Sequence, residues 1–317
     1  METTDTLDPP ANLVFLPMQS INSILVVLSD TEDAPYVLEK VQVLAAASNA
    51  KVHVVRVIYE GVAELGTSVV EDSTKLKSFI VEAAESVLEE MLDPWRSRLP
   101  DVETATIWNP RTWEGILHAA EATQADLIVK GTSLHQKFGD IVRTPDDWNL
   151  LRHSPVPVML VKPQAWVTEP VLLCALDVFD DAHKDLNVAL LKEGDALASI
   201  LGGELHVVCT YPMFEPWVGE LGAMTSYESL RKSIEADIIH RVDTIADVAK
   251  VKFKQLHAEE GHATHVIGAV AEETRAELLL LGTHAREGVR GLLLGNTSER
   301  ILHVVAMDVL TMHGAFS

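Results

Sequence analysis

Lys51-Val-His-Val-Val and Glu204-Leu-His-Val-Val are nearly the same apolar run around one histidine, met half a chain apart. Asp126-Leu-Ile-Val-Lys-Gly-Thr and Glu277-Leu-Leu-Leu-Leu-Gly-Thr form a second such pair. Asp30 and Asp177 each close the first apolar run of their half. Recurrence of this kind means one folding unit written twice, and the fold must accommodate both copies.

Each copy alternates short apolar runs with longer stretches of helical spacing. In the first, strands are predicted over 21–28, 52–58, 102–108, 126–130 and 157–161, with helices over 34–48, 75–95, 111–123 and 146–153. In the second, strands are predicted over 171–176, 204–210, 253–257, 278–281 and 308–312, with helices over 184–201, 227–249, 262–274 and 298–305. Loops are read over 60–70 and 211–224. Strand–helix alternation with short links predicts an α/β fold, a parallel sheet with helices on both faces. The domains are then a leader over 1–20, a first domain over 21–163 and a second over 170–317, divided near Pro163 and Pro170.

Composition narrows the function classes. The 317 residues are 47% hydrophobic and 23% charged, a globular balance, and no run reaches the roughly 20 apolar residues that span a bilayer. The acidic start (Glu2, Asp5, Asp8) has no basic region of the secretory kind, so a cytoplasmic location is expected. Cys174 and Cys209 sit in apolar strands and read as buried free thiols. A net charge of −22 repels nucleic acid and anionic membrane, so neither is an expected partner. It also opposes ATP, so a phosphate site here must act through local backbone donors.

The richest stretch is 277–297. An apolar strand stops at Gly282, a loop of small and polar residues follows, and Gly295-Asn296-Thr297 opens a helix. Unpaired N–H groups at such a helix start suit an anion, most often a phosphate. Asn296 or Thr297 acting only as an N-cap is the plainer reading. In a parallel sheet, ligands sit beyond the carboxyl ends of the strands, where Asp30, Asp177, Gly131 and Gly282 all fall.

The spacing Gly282, two residues, Ala285, nine residues, Gly295-Asn296-Thr297 resembles the nucleotide signature of the universal stress protein family, with Ala285 where the family has a second glycine. The segment Thr144-Pro-Asp-Asp-Trp-Asn-Leu-Leu-Arg-His-Ser-Pro-Val-Pro-Val-Met-Leu-Val-Lys162 resembles the tandem E type of that family in enteric bacteria. The resemblance implies two flavodoxin-like, adenine-nucleotide-hydrolase-like parallel-sheet domains in tandem, packed about a pseudo-two-fold axis so that one chain stands for a family dimer. Further pairing of chains stays open. The resemblance also implies an adenine nucleotide (ATP, or ADP or AMP), possibly with Mg, in the second domain. By position, Asp177 would lie by the adenosine and Val207 and Val208 by the adenine. Gly282, Thr283, Ala285, Gly295, Asn296 and Thr297 would line the ribose and phosphates. The first domain departs, with Leu134 for a glycine and Thr144-Pro145 for the second turn, and Pro145 lacks a donor. The polar ending from Asp308 to Ser317 counts against the last-strand pairing that joins family dimers.

Other groupings of polar and aromatic residues carry less specific signals. His257, Glu259, Glu260, His262 and His265 could ligate a metal, but a solvated strand-to-helix loop is favoured. His53 and His206 read as satisfied interior histidines, Arg286 and Arg290 as phosphate contacts or solvated loop residues, and Trp113, Trp148 and Trp166 as packing. No Gly-x-Ser-x-Gly, His-Glu-x-x-His or complete Walker A motif occurs, so no catalysis beyond slow incidental ATP hydrolysis is expected. The leading expectation is a stress-response nucleotide-binding module acting on an unidentified protein partner. The alternative is a binding protein for an apolar or amphiphilic metabolite between the domains, lined by Phe214, Trp217, Leu221 and Met224.

Overall fold

The computed structural model describes residues 21–61, 73–132, 145–212, 221–283, 300–302 and 305–313. The first half runs β1 (Ser23–Val27), α1 (Ala34–Ser48), β2 (Lys51–Ile58), α2 (Ser73–Leu92), β3 (Glu103–Trp108), α3 (Thr112–Ala122), β4 (Leu127–Gly131), α4 (Pro145–His153) and β5 (Val158–Val161). The second runs β6 (Val171–Ala175), α5 (Lys184–Leu201), β7 (Glu204–Tyr211), α6 (Leu221–Ala249), β8 (Gln255–Glu260), α7 (Ala263–Thr274), β9 (Ala276–Thr283) and β10 (Asp308–His313).

All ten strands form one sheet in the order β3-β2-β1-β4-β5-β10-β9-β6-β7-β8. Every neighbouring pair is parallel except β5 and β10, which meet antiparallel at Val309↔Leu160, Leu310↔Met159 and Thr311↔Val158. Each half repeats the same strand order, and the two meet head-on at that antiparallel seam.

The apolar runs are buried on both faces because the pleat sends successive side chains to opposite sides. Ile24 and Val26 join one core cluster with Val37, Val41 and Leu44 of α1, while Leu25 and Val27 join the other with Ile116 of α3 and Leu150 of α4. In β9, Leu278 and Leu280 take the first face and Leu279 and Leu281 the second. Four consecutive leucines therefore feed two separate cores, which is why the run shows no alternation.

The polar ending does not prevent the seam. Asp308 is fully buried, and its carboxylate lies 2.6 Å from Lys40 Nζ of α1. One Asp308 oxygen accepts from the Lys162 N–H and the other from Trp166 Nε1, each at 2.7 Å. Lys40 also donates to the Lys162 carbonyl at 3.2 Å and sits 5.4 Å from the Trp166 ring centroid. The polar group at the start of β10 is thus saturated by partners from the first half and the linker. Burial pushes the Asp308 carboxyl up and the Lys40 ammonium down, each against the pull of its partner. Glu277 is also raised, by burial first and by the Asp308 charge second.

Several boundaries differ from the sequence reading. Helix α6 starts at Leu221 rather than at 227, so the expected long loop is shorter. Gly222 disfavours a helix by about 1 kcal/mol relative to alanine, and the longer helix absorbs that cost. Strand β8 covers Gln255–Glu260 rather than 253–257. It is an edge strand, and half-exposed edges tolerate the charged Glu259 and Glu260 that an apolar search passes over. At the expected last helix, residues 300–302 are helical and Val305 is not. The leader over 1–20 lies outside the described residues.

Breaking the clasp should be expensive. Lys40→Met is expected to lower unfolding free energy by about 3–5 kcal/mol by stranding a buried carboxylate. Adding Asp308→Leu should recover only part of this, because the Lys162 N–H and Trp166 Nε1 lose their acceptor. Urea unfolding of the wild type, both single variants and the double variant would measure it.

Candidate functional site

Strand β6 carries β7 on one side and β9 on the other. The chain runs outward from β6 through β7 to β8, then returns across the sheet to β9. The carboxyl ends of β6 and β9 therefore flank a topological switch point, where crossover loops part and leave a crevice. Strands β1 and β4 make the same switch point in the first half.

Asp177 follows β6 at this point and is held three ways. Its Oδ1 accepts from the Phe179 N–H at 3.3 Å, and its Oδ2 lies 2.9 Å from His183 Nδ1. Its own carbonyl accepts from Asn187 Nδ2 at 2.7 Å. His183 closes a 3₁₀ turn, Asp181–His183, and Asn187 is a buried residue of α5. The Phe179 ring next to this turn is 46% exposed, so an aromatic face borders the strand end. Sequence reasoning selected Asp177 and missed His183 and Asn187. Their signal was available in the spacing, since a residue ten positions on from a strand-end aspartate lies on the helix that follows.

Gly282 ends the apolar part of β9. A Cβ there would stand 2.6 Å from Leu186 Cδ2 and 3.1 Å from Leu190 Cδ1. Glycine is required for close packing of β9 on α5, not for a left-handed backbone, which this residue does not adopt. Thr283 is buried, with its hydroxyl 3.2 Å from the Met312 carbonyl and 2.6 Å from His313 Nδ1. The other His313 nitrogen donates to the Leu151 carbonyl of α4, in the first half. The hydroxyl expected beside ribose or phosphate thus faces the β10 seam, leaving Thr283 to offer its backbone.

Val207 and Val208 are interior positions of β7, fully enclosed on opposite faces of the sheet and short of the strand's end at Tyr211. That end is bordered by hydroxyl–carboxylate pairs: Tyr211 donates to Glu235 at 3.1 Å, and Tyr227 donates to Glu260. Ala285, Arg286, Arg290, Gly295, Asn296 and Thr297 lie outside the described residues, as do Phe214 and Trp217. Nothing is described of the side chains of Leu221 and Met224.

The first half presents a different crevice. At Gly131 a Cβ would stand 2.7 Å from Asp33 Cβ and 3.0 Å from Asp33 Oδ2, so an acidic side chain covers that glycine. The residue two on from Asp30 is Glu32, whose N–H bonds the Asp30 carboxylate at 3.0 Å, where the second half has Phe179. Lys130 is buried against Asp147 of α4 at 2.7 Å. Ten positions on from Asp30 stands Lys40, which serves the clasp, where Asn187 serves the Asp177 turn.

The histidine-rich stretch is dispersed by the fold. His257 is buried beside His206, with Nε2 to Nδ1 at 3.2 Å and the rings stacked. Glu260 pairs with Tyr227, Gly261 turns the chain at φ 142°, and His262 precedes α7. Among the described residues no group of three His, Cys, Asp or Glu side chains is arranged to hold a metal ion. His53 Nδ1 lies 3.1 Å from a Glu103 carboxylate oxygen. Cys174 and Cys209 are free and buried, and burial first, with the Asp177 charge second, raises the Cys209 thiol to about 12. No described helix is long and apolar enough to cross a membrane.

The Universal stress protein family model matches this chain twice, over residues 20–162 and 172–313. The chain belongs to the Universal stress protein family. Universal stress protein E of Photorhabdus laumondii is 26% identical over 305 residues, covering 93% of this chain and 96% of that protein. Among solved structures, a functionally unknown protein from Pseudomonas aeruginosa PAO1 superposes with a TM-score of 0.72 at 26% identity, covering 94% of each chain. A universal stress protein from Archaeoglobus fulgidus shares the fold with a TM-score of 0.62 at 21% identity, covering 94% of this chain and 100% of its own. This chain is thus a tandem member, carrying two universal stress domains in one continuous sheet.

Two outcomes follow for this tandem universal stress protein. Gly282→Ala should cost about 1–3 kcal/mol through overpacking on Leu186, and Leu186→Ala in the same chain should restore part of it, read as non-additive urea midpoints. Burial, with the neighbouring His206 second, lowers the His257 pKa. A depressed histidine is neutral when folded, so its contribution is present above the unfolded imidazole range and is lost as pH falls through the folded value. Thermal stability should therefore fall on acidification from neutral pH, and His257→Gln should shrink that fall.

Proposed function

We propose that this universal stress protein binds an adenine nucleotide, ATP or its ADP or AMP relatives, in its second half, and acts in the cytoplasm as a regulatory binding module. The observation that carries this reading is the position of Asp177, just past the end of β6, next to the strand β9 that ends in Gly282 and Thr283. The sequence Gly282, Ala285, Gly295, Asn296, Thr297 continues from that strand end. A carboxylate on one side offers an acceptor for the base amine or ribose hydroxyls. On the other side, the glycine loop and helix start expected from the sequence would offer N–H donors for phosphates.

Local donors matter because the chain carries −22 charges overall. Arg286 and Arg290 in the loop, with Mg accompanying the nucleotide, would offset part of that field. Val207 and Val208, enclosed in the sheet, would contribute through the backbone of β7 toward its end at Tyr211. In the first half, Asp33 over Gly131 and Pro145 in place of a donor both disfavour an anion, so one nucleotide per chain is expected.

Binding would act on a partner through the seam. Thr283 immediately precedes the loop, and its hydroxyl reaches His313, which bonds α4 of the other half. Nucleotide bound beside Thr283 would shift the population of one arrangement of that contact. Hydrolysis is not part of the proposed role, because the Thr283 hydroxyl, paired with His313, faces the β10 seam.

The test is ATP calorimetry on the full-length protein, since β10 and Asp308 depend on the first half. The expected result is one site per chain, with affinity lost in Gly295→Val and kept when Gly131 is replaced by Ser. No binding at millimolar ATP to the folded protein would overturn the reading.

A further inference from the structure

His53 and His206 hold the same place in the doubled strand, and each meets the sheet's edge strand beside it. Their partners differ. In the first half, His53 Nδ1 lies 3.1 Å from a carboxylate oxygen of Glu103 on β3. In the second half, His206 Nδ1 lies 3.2 Å from His257 Nε2 on β8, with ring centroids 5.5 Å apart and planes 17° from parallel. Both rings of this second pair are buried, at 8% and 7% exposure. His206 is two residues from Val208, and His257 is aligned with Val208 across the ladder. The pair therefore shares that valine's face of the sheet, the face packed by Ile267, Val270 and Ala271 of α7.

The two pairs respond to added protons in opposite ways. A carboxylate accepts from an imidazole N–H whether the ring is neutral or charged, so acid in the imidazole range leaves His53 and Glu103 bonded. A nitrogen-to-nitrogen bond needs one nitrogen with a proton and one without. His206 and His257 can hold one added proton, as an imidazolium donating to an imidazole. A second sets N–H against N–H, so the rings titrate as a unit and the second proton breaks their bond. The charges around them do not remove this conflict. Glu204 lies 3.7 Å from His206 Nε2, but it is already matched to Lys254 at 3.0 Å. Glu273 of α7 and Glu259 of β8 favour a charged His257, yet burial first and His206 second outweigh them and lower its pKa. On the β6 side, the ladder neighbour of His206 is the uncharged Leu173.

His257 is also the one fully buried side chain of β8. On the other face of the strand, Leu256 and Ala258 are partly buried, and Gln255 and Glu259 are exposed. Among the described residues β8 pairs with β7 alone, bracketed by the Lys254 N–H on the Leu205 carbonyl at 2.7 Å and the Gly261 N–H on the Tyr211 carbonyl at 2.8 Å. We propose that the His206–His257 pair is an acid-sensitive latch, which anchors β8 at neutral pH and releases it when both rings are protonated. Release bares the backbone edge of β7. The β3 edge, held by His53 and Glu103, stays closed under the same conditions, so acid opens the sheet at one end. The latch does not depend on the nucleotide reading.

The experiment is amide hydrogen exchange at pH 7.5 and pH 5.0 on the full-length wild type, His257→Gln and His257→Glu. Rates are read as protection factors, which removes the chemical pH dependence of exchange. On going to pH 5.0, wild-type peptides covering β8 should lose about tenfold more protection than those covering β3, the size of about one pKa unit of coupling. His257→Gln keeps an amide facing His206 and takes up no charge, so its β8 loss should match its β3 loss. His257→Glu copies the pairing of the first half and should do the same, even at lower overall stability. Equal losses at β8 and β3 in the wild type would overturn the latch. So would an excess β8 loss in His257→Gln as large as that of the wild type.

Discussion

The β5–β10 pairing is the constraint on which the rest of this molecule depends. It is the one antiparallel contact in an otherwise parallel sheet, and it turns two half-sheets into a single ten-stranded one. A parallel edge left open would expose a row of unpaired N–H and C=O groups. Here each half supplies the edge that covers the other. The Lys40–Asp308 clasp lies at one end of this seam, and the His313 contacts to Thr283 and Leu151 lie at the other.

The clasp is better understood as specifying than as stabilising. Removing both charges from water costs more than their attraction returns, as the opposed shifts of Lys40 and Asp308 indicate. An apolar pair would remove that desolvation cost but would leave the Lys162 N–H and Trp166 Nε1 without their acceptor. It would not reject other registers, because a leucine tolerates sliding and a buried carboxylate held by Lys40, the Lys162 N–H and Trp166 Nε1 does not. The clasp defines one alignment of β10 on β5, and with it the distance between Thr283 and the first half.

Much of the fold was legible in the sequence. The doubled apolar runs gave the strands and their order of appearance, and the α1 and α5 spans matched the structure residue for residue. What escaped were features that local pattern does not encode. Strand β8 hides its period because an edge strand accepts glutamates, and α6 begins inside the stretch read as a loop and takes in Gly222. The seam was misjudged because Asp308 looks hostile to a buried strand until Lys40, far away in sequence, is brought beside it. Of the candidate site, Asp177 and Gly282 could be read from spacing alone. His183 and Asn187 were marked only by their spacing from Asp177, and the turn that joins them to it is displayed by the folded chain. Gly282, read as lining the ribose and phosphates, is also packed closely against Leu186.

Joining two equivalent domains in one chain and one sheet has a thermodynamic consequence. A dimer of separate subunits dissociates on dilution, so its interface exists only above a threshold concentration. Here the linker between Val161 and Val171 holds the partner edges together at a fixed effective concentration, however scarce the protein is. The seam therefore forms in every molecule from the moment it folds. The two halves were also freed from having to be identical. One could lose its glycine loop and give up its helix position to Lys40, while the other kept Asn187 and the Asp177 turn.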